Sequence, residues 1–149
     1  VSGTDRAQLL HDTISALAPV DPRLVEADWA ALATEVVRLG THRALVVLLT
    51  SLESAAVEEG LLPVLPALAA RHRVVVASVA DPALAEMSAR RTTTSEVYAA
   101  AAAERTTALR ARTASALGQL GVDVVDASPS ELPVRVADHY LMLKRQGLL

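Results

Sequence analysis

Three short apolar segments, separated by long stretches with helical periodicity, constrain the fold more than any other feature of this chain. They lie at about 44–50 (ALVVLLT), 73–79 (RVVVASV) and 122–127 (VDVVDA). Each segment is rich in β-branched residues and bounded by turn or cap residues, which favours strands over helices. The first two are almost continuously apolar, which is typical of parallel strands covered on both faces, whereas the third alternates and fits a sheet edge.

The stretches between these segments have the 3.6-residue period of amphipathic helices. The predicted helices cover about 5–17, 21–39, 54–59, 61–71, 81–90 and 95–120, and a terminal helix begins after Ser128–Pro129. Asp5, Asp21 and Thr93 supply start signals, and Gly40 and Gly121 supply stop signals. Alternating strands and helices are typical of right-handed βαβ units. We therefore predict a single α/β domain over 1–149, with a short parallel sheet in a three-layer α/β/α arrangement.

Composition narrows the range of functions. The 149 residues have a formal net charge of -3 and no basic run longer than Arg90–Arg91, which disfavours nucleic-acid binding. The 2% aromatic content disfavours stacking platforms for single strands, and the absence of cysteine excludes disulfides and thiolate chemistry. No apolar stretch approaches the ~18 residues that span a bilayer. We expect a soluble segment that makes no membrane contact of its own.

Polar residues follow the first two predicted strands and form a candidate ligand rim. Thr50, Ser51 and Glu53 follow the first strand, and Asp81 follows the second. The carboxyl ends of parallel strands share one edge, where ligands bind in open α/β sheets, and oxygens of these types suit a hard cation such as Mg²⁺. The alternative and favoured interpretation is that Ser51, Ser54, Asp81 and Ser128 are helix N-caps.

No motif in the sequence indicates catalysis. Neither a phosphate-binding glycine loop nor a G-x-S-x-G nucleophile turn is present. The four histidines are scattered, and we interpret each as a surface or helix-end residue. They are His11, His42, His72 and His139. We predict a non-enzymatic chain without catalytic residues, cofactor or metal.

Trp29 is the only tryptophan and follows Asp28 in a predicted helix. Tryptophan is enriched at binding hot spots, so Trp29 is a candidate interface anchor. Packing in the core is the alternative and the favoured interpretation.

Five segments, taken in order, resemble the carboxyl half of a bacterial family. They are RLVEAD at 23–28, RALVVLLTSL at 43–52, RVVV at 73–76 leading to Asp81–Pro82, Val97–Tyr98, and DHYLMLK at 138–144. The family is domain-of-unknown-function family fifty-eight, whose members are von Willebrand factor A-like proteins commonly encoded beside MoxR-type AAA+ ATPases. The resemblance covers nearly the whole chain.

The resemblance implies that the three strands are the last three of a doubly wound sheet. The chain is then a fragment of a longer, membrane-anchored protein on the cytoplasmic face of the bacterial cell membrane. Relatives commonly have Leu-Thr-Asp-Leu where this chain has Leu49-Thr50-Ser51-Leu52. Ser51 lacks the carboxylate charge, so the resemblance does not imply a complete divalent-metal site in this chain.

Three functions follow from these observations. The leading hypothesis is a protein-interaction domain that acts as adaptor or assembly factor for a MoxR-type AAA+ ATPase. The first alternative is a small-ligand or divalent-metal binding domain that uses the rim. The second is a homo-oligomerisation module, because the apolar strand 44–50 becomes an exposed edge if its neighbour is missing. We predict a homodimer through that edge or the helices beside it.

Overall fold

A computed structural model describes residues 6–21, 25, 27–38, 42–53 and 57–149. Its helices are α1 (Arg6–Leu17), α2 (Trp29–Arg38), α3 (Leu65–Arg71), α4 (Pro82–Ala89), α5 (Thr94–Gln119) and α6 (Leu132–Arg145). Its strands are β1 (Leu45–Leu49), β2 (Arg73–Val79) and β3 (Asp123–Ala127), and a π-helical turn covers Val57–Leu61. The predicted start residue Asp5, the predicted stop residue Gly40 and the first three residues of the helix predicted over 54–59 lie outside the described residues.

The three strands form one all-parallel sheet in the order β1-β2-β3. Val47 of β1 lies beside Val75 of β2, and Ala77 of β2 lies beside Val125 of β3. The predicted α/β class and parallel sheet are confirmed, with strand ends within one residue of the prediction. β2 is central and buried over residues 74–78, because helices cover both of its faces.

Successive side chains of each strand point to opposite faces of the sheet, so the core has two parts. On one face, Leu48, Val74 and Val76 pack against α2, the π-turn, α3 and the end of α5. The largest fully buried side chains of this main core are Leu52, Leu61, Leu65, Leu68 and Leu117. On the other face, α6 packs Leu132 against β2 and β3 in a smaller cluster.

α2 is shorter than the helix predicted from residue 21. The backbone N–H of Ala31 donates to Asp28 Oδ1 at 2.9 Å, so Asp28 caps the helix. Residues 25, 27 and 28 are not helical, so the continuous helix predicted over 21–39 is not formed, and its predicted first turn at 22–24 lies outside the described residues.

The chain after β1 forms a π-turn instead of the predicted α-helix. The N–H of Leu62 donates to the C=O of Val57 at 2.8 Å, five residues earlier. Gly60 lies against the indole of Trp29, since a Cβ at Gly60 would be 2.4 Å from Trp29 Cδ1. α3 then begins with Pro66 in its first turn, where the missing N–H costs no helical hydrogen bond.

Gly121 ends the longest helix, as predicted. It has a φ of 76°, which glycine adopts without a steric penalty. The N–H of Val122 donates to the C=O of Leu117 at 3.2 Å, and the N–H of Gly121 donates to the C=O of Gly118 at 3.0 Å. This pair of bonds is a Schellman motif, and it turns the chain directly from α5 into β3.

The predicted capping box at the start of α5 is also present. The N–H of Glu96 donates to Thr93 Oγ1 at 3.3 Å, and Glu96 Oε2 accepts from the N–H groups of Thr92 and Thr93 at 2.8 and 3.1 Å. The Thr92 hydroxyl donates to the same oxygen. These hydrogen bonds, above all that from the Thr92 hydroxyl, hold the pKa of Glu96 below its ordinary value of 4.5.

We expect Glu96→Gln to make the chain less sensitive to acid. A carboxyl group whose pKa is lower in the folded state stabilises the fold above its unfolded pKa. That stabilisation is lost as the pH falls through the folded value. Between about pH 5 and pH 3, the melting temperature should therefore fall less in Glu96→Gln than in the wild type. Circular dichroism measures this slope, with the exposed Glu59→Gln as control, and equal slopes for Glu96→Gln and wild type contradict the prediction.

Candidate functional site

The four rim residues lie at the carboxyl edge of the sheet but form no cluster. The N–H of Thr50 donates to the C=O of Ala77 at 3.2 Å, which continues the β1–β2 ladder by one residue. Ser51, Glu53 and Asp81 are exposed beyond the strand ends. No hydrogen bond or ion pair joins these four side chains. Among the described residues, no three His, Asp or Glu side chains are grouped so that they could hold a metal ion.

Asp81 has a structural role at this edge. Its Oδ1 accepts the N–H of Ala83 at 2.9 Å, and Pro82 occupies the first turn of α4. The aspartate is therefore the N-cap of α4, and one of its carboxylate oxygens already has a partner.

A partly buried arginine, which the sequence pattern does not single out, links α5 to the ends of β2 and β3. Arg110 contacts both carboxylate oxygens of Asp126, at 2.6 and 3.4 Å. Its Nη2 also donates to Ser78 Oγ at 2.9 Å and to the C=O of Val79 at 3.1 Å. The one available signal is Ser78 inside the apolar segment RVVVASV, because a buried hydroxyl needs a hydrogen-bond partner. The bidentate pair neutralises the guanidinium and holds α5 on the sheet.

His139 is neither an exposed nor a helix-end residue, contrary to the prediction. It lies within α6, and its Nε2 is 3.2 Å from Asp123 Oδ2 on β3. Arg73 Nη2 approaches the same oxygen at 3.2 Å. His72 does follow a helix end, as predicted, but it is buried, and its Nδ1 accepts the N–H of Ala44 at 3.4 Å. The Asp123 carboxylate therefore joins β2, β3 and α6.

An apolar surface is exposed over β1. Val47, Leu49 and Val79 are 37%, 77% and 52% exposed, and their positions in the register place them on one face of the sheet. We call these three residues the β1 face. On the same side of the sheet α6 packs on β2 and β3, where Val75 and Ala77 are buried. In the part of the chain that the structure describes, the helix layer on this side covers β2 and β3 and leaves β1 exposed.

Among the described residues, no strand pairs with the outer edge of β1. Because the N–H of Thr50 donates to Ala77, the even-numbered residues of this strand direct their backbone groups toward β2. The alternation turns the N–H and C=O groups of Val47 and Leu49 away from β2, toward the edge. A strand edge of this kind is a template for pairing with another chain.

A second exposed apolar row lies on α1. Leu10, Ile14 and Leu17 follow helical spacing and are exposed. A contiguous exposed apolar patch is typical of an interaction site, whereas single exposed apolar residues are common on any protein surface.

Trp29 is half-buried at the start of α2. Its indole packs against the main core and against Gly60 of the π-turn. The ring thus lies on the opposite side of the sheet from the β1 face.

Comparison with protein-family models, with curated proteins and with solved structures finds no match for this chain. Within the described part of the chain, no helix has both the length and the apolar character needed to cross a bilayer. The binding surface is therefore inferred from the geometry of the chain itself.

Proposed function

We propose that this chain is a non-enzymatic protein-interaction domain that binds a partner polypeptide along β1. The observation that carries the proposal is the β1 face, where Leu49 is 77% exposed on an open sheet edge. Natural proteins protect such edges with charges, prolines, bulges or a covering segment. β1 reads LVVLL and contains neither a charge nor a proline. We propose that a partner segment covers this edge.

The partner polypeptide binds β1 by strand addition. A partner strand hydrogen-bonds to the edge groups of Val47 and Leu49, and apolar side chains of the partner cover the β1 face. Burying each of these partly exposed side chains contributes about 1–2 kcal/mol to binding. The backbone bonds provide affinity, and the apolar contacts select the partner.

The family resemblance supplies the proposed partner. We propose a MoxR-type AAA+ ATPase, for which this chain acts as adaptor or assembly factor. An adaptor needs a docking surface and no catalytic group, and the β1 face provides such a surface.

The open edge also supports the finer fold proposal. In a von Willebrand A-like sheet β1 is an internal strand, and the preceding half of a membrane-anchored parent protein, on the cytoplasmic side of the bacterial membrane, then occupies the edge in place of the ATPase. When that half is missing, a second copy of the chain takes its place. Homodimerisation through β1 is therefore the second candidate function.

Leu49→Lys tests the β1 surface. The substitution places a charge on the open edge, which opposes pairing, and the exposure of Leu49 allows the chain to fold normally. We expect light scattering at high concentration to give the mass of a dimer for the wild-type chain and of a monomer for Leu49→Lys. Leu141→Lys is the matched control at an exposed position of α6, and it should remain dimeric.

Capture of the ATPase by the tagged 149-residue chain tests the partner. Retention by the wild type and Leu141→Lys, with loss in Leu49→Lys, supports the adaptor role. Failure of the wild type to retain the ATPase contradicts that role. A clean monomer of the wild-type chain contradicts self-association, and the two negative results together overturn the interaction function.

A further inference from the structure

A shallow groove runs along the opposite edge of the sheet, between β3 and α6. Its volume is about 640 Å³, and residues 124–126 of β3 form one wall. Five side chains on one flank of α6 form the other wall. They are Arg135, Asp138, His139, Met142 and Arg145. Because the groove and β1 lie at opposite edges, an occupant here does not depend on a partner at β1.

The backbone of β3 presents hydrogen-bonding groups at this groove. The N–H of Ala80 donates to the C=O of Ala127 at 2.8 Å, so Ala127 and alternate residues of β3 face β2. The alternation turns the N–H and C=O groups of Val124 and Asp126 toward the open edge. β3 is the last strand in the sheet order, so an extended peptide fits here as a fourth strand.

The α6 wall is basic at both ends. Arg135 and Arg145 are separated by about 15 Å along the helix axis, at 1.5 Å per residue. Asp138 lies between them, and Asp126 on the facing wall is already neutralised by its ion pair on α5. Arg135 also approaches Glu131 at 3.6 Å, but this pair is exposed, and exposed pairs are weak enough for an incoming carboxylate to compete. The groove therefore favours an anionic occupant.

The middle of the wall is held in place by the Asp123 network. His139 and Arg73 share one oxygen of Asp123, each at 3.2 Å, which ties α6 to the sheet at this point. Half-buried Met142 follows His139 on the same flank and offers an apolar contact. A wall fixed before binding lowers the entropy cost of association.

We propose that this groove binds an extended acidic segment of another protein, which pairs with the open edge of β3 and places two carboxylates against Arg135 and Arg145. In a strand, residues i and i+4 point to the same face and lie about 13 Å apart, close to the spacing of the two arginines. The recognised segment thus has two acidic residues separated by three others, with an apolar residue midway against Met142. A second copy of this chain fits less well, because it brings the same two arginines to the edge.

A labelled, end-blocked peptide Ser-Thr-Glu-Thr-Leu-Thr-Glu-Thr-Ser tests the proposal by fluorescence anisotropy with the full chain. We expect a Kd of about 10–100 μM, and a weakening of about tenfold or more for Arg145→Glu. Lys144→Glu makes the same charge change on α6 outside the groove, and should alter the Kd by less than about twofold. A peptide with Gln in place of both Glu residues should bind the wild-type chain weakly. Its Kd should be similar to that of the Glu-containing peptide for Arg145→Glu.

N-methylated peptides test the strand pairing. Only alternate N–H groups of an added strand face β3, so methylation of one alternate set should abolish binding while methylation of the other set is tolerated. Absence of binding at about 1 mM peptide overturns the proposal. Equal weakening by Arg145→Glu and Lys144→Glu, or equal binding of the two N-methylated peptides, overturns it as well. If the wild-type chain forms a dimer that Arg145→Glu dissociates and Lys144→Glu does not, the occupant of the groove is a second copy of this chain. That result would also overturn the proposal.

Discussion

Leu68→Ala should lower the free energy of unfolding by about 2–5 kcal/mol. Leu68 is fully buried in the main core, where α3 packs on β2. Removing its three terminal carbons forfeits their transfer free energy and leaves a cavity that the surrounding α3, β2 and α2 close only in part. Because a domain of this size is stabilised by about 5–15 kcal/mol in total, this single change removes a large share.

Urea denaturation of Leu68→Ala measures the effect as a shift of the midpoint at an unchanged slope. Leu141→Ala removes the same atoms from a half-exposed side chain on α6, and should cost less than about 1 kcal/mol. If the two variants lose similar stability, Leu68 does not lie in a closely packed core.

Arg110→Ala is the second change with a large expected effect. It removes the partner of Asp126 and leaves Ser78 Oγ, which is buried, without its donor. Breaking such a pair by removing one member is costly because the remaining carboxylate stays partly desolvated. Asp126 retains some contact with solvent, so we expect a loss of about 2–3 kcal/mol, below the range for fully buried pairs.

Arg91→Ala is the matched control for Arg110→Ala. Arg91 pairs with Glu104, which lies on α5 like Arg110, but the Arg91 and Glu104 side chains are both more than half exposed. Arg91→Ala should therefore lower the free energy of unfolding by at most about 1 kcal/mol. The double variant Arg110→Met with Asp126→Leu should recover part of the stability lost in Arg110→Ala, because it removes both charges. If the double variant is less stable than Arg110→Ala, the desolvation argument is wrong.

The sheet could be predicted because its signal is local. β2 carries five buried residues in succession, and only a central strand with two covered faces needs that pattern. The ends of α5 were equally predictable, because the capping box at Thr93 and the turn at Gly121 each depend on a few neighbouring residues. These features need no knowledge of distant contacts.

The features that sequence reasoning missed depend on distant contacts. Arg110 meets Ser78 and Asp126 only after α5 has packed across the sheet, and His139 meets Asp123 only through the approach of α6 to β3. Neither pair has a characteristic spacing. The rim was placed at the correct edge by topology alone. The alternative that Asp81 is a helix N-cap is confirmed, because Asp81 followed by Pro82 is a local start signal.

The all-parallel ladder has a consequence for how the chain folds. Leu45 must find Arg73 and Val76 must find Val124, so the loops to be closed are about thirty and about fifty residues long. No pair of these strands can form as a hairpin. The entropy cost of closing each loop therefore comes before the strand pairing that stabilises the sheet. The shorter loop favours β1, α3 and β2 as the first unit to assemble. Until β3 docks, the outer edge of β1 and the β3-facing edge of β2 are exposed to neighbouring chains. The order of assembly therefore affects the yield of folded chain as well as the folding rate.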